Sequence, residues 1–145
     1  MKNKSESYTR AHSYQTMYTE VLMESIIQGT IIHGQGQGRT LGFPTANLDT
    51  PTGNIEHPLG IYGGYAILED TQAKLPCAIV IRKRNDEKKI EVHIFDFTQD
   101  IYGKSIIVII RWFIRPWEDF TDPILLEKQI KKDITSVQEL LQTER

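Results

Sequence analysis

The sequence is poor in cysteine and has no long hydrophobic run. Its one cysteine, Cys77, cannot pair within the chain, and no Cys-x-x-Cys is present. An intrachain disulfide scaffold and a thiolate zinc site are therefore excluded. The longest apolar run, Ile106–Ile110, is far shorter than the roughly 20 residues that cross a bilayer, and residues 1–20 lack the apolar segment of a signal peptide. We expect a soluble, cytoplasmic protein that has no membrane partner.

The chain also lacks a strong excess of charge of either sign. Its 17 basic and 19 acidic residues give a formal net charge of −2 at pH 7, which does not support a broadly basic nucleic-acid surface. The one cluster suited to nucleic acid combines Arg82–Arg84 with Trp112 and Trp117, and we expect no nucleic-acid partner. A length of 145 residues with ordinary globular composition indicates one domain, which we expect to be a monomer.

From Ile26 onward, most of the sequence is typical of short β-strands. Runs rich in β-branched and apolar residues cover four segments: Ile26–His33, Tyr62–Leu68, Cys77–Arg82 and Ser105–Ile114. Because the turns between such runs contain Gly and Asp, the pattern predicts an antiparallel sheet that closes into a barrel or forms a sandwich.

A fifth strand candidate alternates between its two faces. One face carries three aliphatic residues, Ile90, Val92 and Ile94. The other face carries Glu91, His93 and Phe95. This period of two predicts a strand with one buried side, and it places the glutamate on the opposite side.

The last segment is predicted to be a helix. Asp122 can cap the free backbone N–H groups at the start, and Pro123 suits the first helical turn. An apolar stripe follows at spacings of three and four: Leu126, Ile130, Ile134, Val137 and Leu141. Three lysines lie off the stripe and are expected in solvent: Lys128, Lys131 and Lys132. Residues 1–25 are expected to form a tail or short helix, and residues 26–145 the domain.

Five of the ten glycines lie in one stretch, residues 29–48, which reads GTIIHGQGQGRTLGFPTANL. Gly34, Gly36 and Gly38, followed by Arg39, can present an array of N–H groups and a cation to phosphate. A flexible hairpin loop explains the same residues equally well. The spacing matches neither the Walker A loop nor the dinucleotide-binding fingerprint.

Two oxygen-bearing residues follow these glycines. Thr45 and Asn47 are two positions apart, so they face the same side of an extended segment. A hydroxyl and an amide carbonyl are hard oxygen ligands suited to Mg²⁺, which also keeps waters and takes phosphate oxygens. Capping of a turn by the two side chains is the alternative.

Taken together, these motifs resemble those of the riboflavin kinase family. The matching pieces are GxGxGRxLGFPTANL, Gly60-Ile61-Tyr62, IEVHIFDF at residues 90–97, Asp100-Ile101-Tyr102-Gly103, and Arg115-Pro116 through Phe120. The likeness runs from about Ile27 to Leu141. It implies a mainly β fold, a six-stranded Greek-key antiparallel β-barrel with a C-terminal α-helix. It also implies transfer of phosphate from ATP to the ribityl 5′-hydroxyl of riboflavin, with Mg²⁺ as cofactor and FMN as product.

The resemblance assigns roles to particular residues. It implies that Glu91 is the catalytic base and that Thr45 and Asn47 hold Mg²⁺. The implied nucleotide-binding set is Gly34, Gly36, Gly38, Arg39, Thr45, Ile94, Asp96 and Tyr102. The implied flavin-binding set is Arg115, Glu118 and Phe120.

The chain departs from the family pattern in two places. Family members usually carry Asn/Ser-Ile-Gly-x-x-Pro before the Glu-x-His motif, whereas residues 76–89 read PCAIVIRKRNDEKK. This stretch is either a solvated hairpin with Asn85-Asp86 at its turn or a rebuilt wall of the site with added positive charge. The family often has Lys where Glu118 stands. A catalytically weak or inactive flavin- or nucleotide-binding module on the same barrel is therefore the alternative function.

Overall fold

A computed structural model describes residues 25–32, 45–50 and 55–144 of the chain. The expected tail or helix over residues 1–25 lies almost wholly outside this described part. The described elements are six strands and one helix: β1 (Ser25–Ile32), β2 (Ala46–Asp49), β3 (Gly60–Leu68), β4 (Lys74–Arg84), β5 (Glu87–Ile94), β6 (Ser105–Pro116) and α1 (Pro123–Thr143).

The six strands close into an antiparallel barrel in the order β1-β2-β5-β4-β3-β6. The predicted six-stranded Greek-key barrel with a C-terminal helix is thus confirmed, and so are the five strands expected from apolar runs. The sixth, β2, is only four residues long and lies between β1 and β5. It lacks an apolar run of its own, and its place in the sheet depends on these two neighbours.

The interior of the barrel is filled by the aliphatic face of each strand. In β5 this face is Ile90, Val92 and Ile94, all buried in the main core, as the alternation predicts. Tyr62 and Phe113 complete the interior with an edge-to-face ring contact, their centroids 5.1 Å apart. Because side chains alternate along a strand, the neighbours of these residues point to the outside of the barrel.

Helix α1 begins as predicted and covers part of the outer wall. The Asp122 side chain accepts a hydrogen bond from the backbone N–H of Ile124 at 2.9 Å, and Pro123 occupies the first turn. The helix packs against β3, β4 and β6, with Val137 and Leu140 buried against the barrel. The three lysines expected in solvent are exposed.

The buried face of the helix differs from the apolar stripe in one respect. Leu126, Ile130 and Ile134 are only half-buried, whereas Asp133 is buried. Its carboxylate takes two hydrogen bonds from Arg115 on β6, at 2.8 Å from Nε and 2.9 Å from Nη2. Gln129 donates to the same carboxylate at 2.9 Å. An apolar pattern cannot predict this polar attachment of helix to barrel.

Replacing Asp133 with Ala is expected to lower the free energy of unfolding by about 3–5 kcal/mol, because it leaves the Arg115 guanidinium unpaired in a mostly buried position. Chemical denaturation followed by circular dichroism measures this loss. The control is Glu127→Ala, which removes an exposed pair with Lys131 and should cost less than about 0.5 kcal/mol. Equal losses in the two variants would contradict a structural role for the Arg115–Asp133 pair.

Candidate active site

Glu91 lies on the outer wall of the barrel, on the face of β5 opposite the core. Its side chain is nevertheless only 11% exposed. The predicted placement of this carboxylate away from the aliphatic face is therefore confirmed. Few carboxylates are buried to this extent without partners that compensate their charge.

The partners of Glu91 are two arginines of β4. Arg84 Nη2 donates to Glu91 Oε1 at 2.9 Å, and Arg82 Nη2 lies 3.2 Å from the same oxygen. The β4–β5 hairpin turns at Asn85 and Asp86, both with positive φ. Its register pairs Glu91 with Val80, so both arginines lie on the same face of the sheet nearer the turn, and their side chains reach back to the carboxylate. The turn thus lies at Asn85-Asp86, as the sequence predicts. The arginines are partly exposed to solvent and also contact the glutamate.

The ionisation of Glu91 reflects two opposing effects. Burial raises the pKa of the carboxyl, because it disfavours the charged form. The positive charge of Arg84 lowers the pKa, but burial is the larger effect and the pKa is raised overall. A larger fraction of this carboxyl is thus protonated at mildly acidic pH than for an exposed glutamate.

Asn47 lies directly beside Glu91 on the neighbouring strand. The register of β2 and β5 pairs the two residues. Because the next residue, Leu48, points into the core, Asn47 points outward like Glu91. Side chains that are directly opposite on adjacent antiparallel strands are within contact range. Thr45 immediately precedes β2, and both it and Asn47 are half-buried.

The remaining predicted nucleotide contacts are divided between described and undescribed segments. Gly34, Gly36, Gly38 and Arg39 lie outside the described residues. The other members are Ile94, Asp96 and Tyr102.

These three residues mark the end of β5 and the loop that follows it. The Ile94 side chain is buried in the core, which leaves its backbone as the part that can meet a ligand. Asp96 has a positive φ of 53° in the turn after β5. Tyr102 is exposed, and its backbone N–H donates to Asp100 Oδ1 at 2.9 Å.

The predicted flavin contacts cluster where β6 leads into the helix. Arg115 is held by Asp133, and its guanidinium carbon lies 6.0 Å from the centre of the Phe120 ring. Glu118 is exposed. Arg115 Nη1 also donates to the carbonyl of Pro116 at 3.2 Å, so all three of its nitrogens have protein partners.

Trp117 connects this segment with the arginines of β4. The Arg82 guanidinium carbon lies 5.4 Å from the centre of a Trp117 ring, a cation–π contact. The indole N–H donates to Asp119 Oδ1 at 3.0 Å. The sequence left two alternatives open for the arginines, a solvated hairpin or a rebuilt wall of the site, and assigned Trp117 no role in the site. The sequence does contain a signal for the arginines. A hairpin that turns at residues 85–86 pairs position 84 with 87 and position 82 with 89, and side-chain alternation then puts both arginines on the same face as Glu91.

The cluster considered for nucleic acid is assembled only in part, since Arg82 contacts Trp117 but Trp112 is not exposed beside them. Trp112 is buried beneath the helix, and Arg82 is engaged with Glu91 and Trp117. An exposed stacking platform needs an accessible ring, which Trp112 does not supply.

Metal-binding clusters and membrane-spanning helices are both absent from the described residues. Among the residues that the structure describes, no group of three or more His, Cys, Asp or Glu side chains could hold a metal ion. Within the same residues, no helix has the length and apolarity needed to cross a membrane.

Comparison with known proteins identifies the family. Residues 23–141 match the family model for riboflavin kinase, also called flavokinase. The chain belongs to the riboflavin kinase family. It is 39% identical over 116 residues to the RNA-binding riboflavin kinase RibR of Bacillus subtilis, covering 78% of this chain and 50% of that protein. It is 38% identical over 114 residues to the bifunctional riboflavin kinase/FMN adenylyltransferase of the same organism, covering 74% of this chain and 35% of the relative. The chain thus spans about half or less of these relatives.

Two solved structures share the fold. A macrolide-efflux protein from Streptococcus pneumoniae superposes with a TM-score of 0.74 at 25% identity, covering 94% of this chain and 46% of that chain. The riboflavin kinase from Trypanosoma brucei gives a TM-score of 0.63 at 22% identity, covering 81% of this chain and 79% of that chain. At this identity the second likeness supports the barrel architecture alone.

The environment of Glu91 leads to a prediction about its titration. We expect its pKa to lie above that of an ordinary glutamate, and Arg84→Gln to raise it further, since the charge that lowers the pKa is then removed. Carboxyl-carbon NMR during a pH titration measures both values. The control Arg111→Gln removes an arginine that contacts Glu144 instead and should leave the Glu91 midpoint in place. A lower pKa in Arg84→Gln than in the wild type would contradict this account.

Proposed function

We propose that the protein transfers the terminal phosphate of ATP to the ribityl 5′-hydroxyl of riboflavin, giving FMN, in a reaction that depends on Mg²⁺. The observation that carries the proposal is the pairing of Glu91 with Asn47 across β5 and β2, in a chain of the riboflavin kinase family. This pairing puts a buried carboxylate beside an oxygen ligand of the type that Mg²⁺ takes.

Glu91 supplies the base that the reaction needs. A primary alcohol is a poor nucleophile at neutral pH, and a positioned carboxylate that accepts its proton assists the attack. The raised pKa of Glu91 makes it a better proton acceptor than an exposed glutamate. The hydroxyl oxygen forms a bond to the terminal phosphorus, the bond from that phosphorus to the bridging oxygen breaks, and its electron pair leaves on ADP. The hydroxyl proton passes to a carboxylate oxygen of Glu91.

Thr45 and Asn47 fit a Mg²⁺ ion that arrives with the nucleotide. They offer neutral oxygen donors at half-buried positions, and no acidic cluster in the described part of the chain competes for the ion. The neighbouring arginines disfavour a bare cation, whereas the complex of Mg²⁺ with a nucleoside triphosphate is a net anion. When bound, the ion neutralises charge on the phosphate oxygens.

The flavin is proposed to lie against the segment that follows β6. Phe120 offers an aromatic face and Arg115 a planar cation, both suited to a flat ring system. Because Asp133 holds Arg115, this guanidinium is positioned before the substrate binds. Glu118, exposed nearby, is the third proposed contact.

A specific observation favours a second candidate, a catalytically weak or inactive binding module. Both Arg82 and Arg84 contact the same oxygen of the proposed base. If this arrangement persists with substrates bound, Glu91 Oε1 stays occupied by the arginines and does not receive the hydroxyl proton, and the chain binds flavin or nucleotide without turnover. Incubation with riboflavin and Mg·ATP, followed by chromatographic separation of flavins, distinguishes the candidates. RNA binding, which the name of one relative includes, is not proposed for this chain.

Replacing Glu91 with Gln is expected to lower kcat for FMN formation by about 10²–10⁴-fold, the usual contribution of a general base. Binding of Mg·ATP, measured by calorimetry, should persist. Since Gln leaves two arginines without a carboxylate partner, thermal melting must show that the variant is folded. Glu91→Asp keeps the charge and should retain part of the turnover. A folded Glu91→Gln variant with wild-type kcat would overturn the assignment of the base.

Replacing Asn47 with Ala is expected to raise the Mg²⁺ concentration needed for half-maximal turnover by about tenfold or more, because even indirect partners of metals contribute 10–100-fold to affinity. Asp49→Ala is the matched control, as an exposed position on the same face of β2. Asn47 is not a metal ligand if the two variants show the same Mg²⁺ dependence.

A further inference from the structure

The cluster formed by Arg82, Glu91 and Arg84 has one positive charge in excess. One carboxylate faces two guanidinium groups, and the side chains are only 17%, 11% and 20% exposed. A like-charged pair that shares one counterion in a mostly buried position is costly. A second anion at this position would relieve the repulsion between the two arginines.

The same arginines also have donors without acceptors. The Nε atoms of Arg82 and Arg84 are buried, and neither has a hydrogen-bond partner among the residues that the structure describes. Buried donors are rarely left unpaired, because the lost hydrogen bonds to water are not replaced. Two unpaired donors beside an excess of positive charge indicate a site for an anion with several acceptor oxygens.

The position of the arginines indicates which anion this is. β5 lies between β2 and β4, so Glu91 has Asn47 on one side and β4 on the other. A phosphate whose Mg²⁺ is held near Asn47 and whose acceptor hydroxyl meets Glu91 is therefore within reach of Arg84 and Arg82. Trp117 packs against the Arg82 guanidinium on the side of the sheet away from β5's aliphatic face.

We propose that Arg82 and Arg84 bind the terminal phosphate of the nucleoside triphosphate: they hold Glu91 in the free protein and transfer their hydrogen bonds to the phosphate oxygens when the nucleotide binds. This inference rests on the proposed function. The exchange leaves Glu91 Oε1 available for the hydroxyl proton only when the phosphate to be transferred is in place. The arginines then oppose the negative charge on the transferred group as the bond to ADP breaks.

The decisive measurement is nucleotide binding in a Glu91→Gln background, where the arginines have no carboxylate to hold. Calorimetry with Mg²⁺ compares the β,γ-imido analogue of ATP with ADP, which lacks the terminal phosphate. Adding Arg84→Gln should weaken binding of the analogue by about ten- to a hundredfold, the range for hydrogen bonds to charged groups, and leave ADP affinity nearly unchanged. Arg84→Lys should restore part of the difference, and Arg82→Gln should act in the same direction.

Kinetics in the otherwise wild-type chain provide the second readout. Arg84→Gln should lower kcat by about a hundredfold or more with little change in the KM for riboflavin, since the arginine contacts the phosphate and not the flavin. Arg111→Gln is the matched control, because it removes an exposed arginine–glutamate pair on another strand; it should leave both measurements unchanged. Thermal melting checks that each variant is folded.

The outcomes separate this inference from the proposed function. If the wild type forms FMN, but Arg84→Gln weakens the binding of the analogue and of ADP equally or leaves both unchanged, the arginines serve only to hold Glu91 and this inference is wrong. If the wild type forms no FMN, but binds the analogue more tightly than ADP and the arginine variants lose this preference, the kinase proposal fails and the phosphate site stands. If the wild type binds neither nucleotide, both proposals fail.

Discussion

The pairing of β5 with β2 on one side and β4 on the other is the constraint on which the site depends. This register puts Ile90, Val92 and Ile94 into the core and sets Glu91 beside Asn47 on the outer wall. A slip of one residue would exchange the two faces of β5, burying a carboxylate in the barrel and exposing its aliphatic residues. Burial of the core therefore also positions the proposed base, and stability and function depend on the same alternation.

Two mostly buried ion-pair clusters on the outer wall differ in their charge balance. Arg115 and Asp133 form a balanced, bidentate pair that Gln129 supports, and it joins helix to barrel. The cluster around Glu91 is unbalanced and leaves donors unpaired within the described residues. A balanced pair suits a permanent contact, because neither charge is left uncompensated. In the other cluster the excess positive charge is what the proposed phosphate would compensate. Trp117 and Phe120 are close together in sequence and contact different clusters. Trp117 contacts Arg82 in the unbalanced cluster, and Phe120 contacts Arg115 in the balanced pair.

Much of the fold is readable from local patterns, because these patterns record which residues are buried. The helix start at Asp122 and Pro123, the strands with aliphatic runs and the turn at residues 85–86 are all in their expected places. The short strand β2 was foreseen only as an extended segment, since four residues carry too little periodicity to identify a strand. Asp133 was overlooked because a charged residue on an apolar face is buried only if a distant residue pairs with it.

By itself, the sequence determined the family, the barrel class and the identity of the proposed base, since family motifs and hydrophobic alternation are local properties of the chain. The tertiary structure alone decided what surrounds that base. Arg82 and Arg84 are separated from Glu91 along the chain until strand pairing brings them to it, and Arg115 has no visible partner in the sequence until the helix brings Asp133 to it. Charge pairing depends on distances between residues far apart in the chain, and only packing sets those distances.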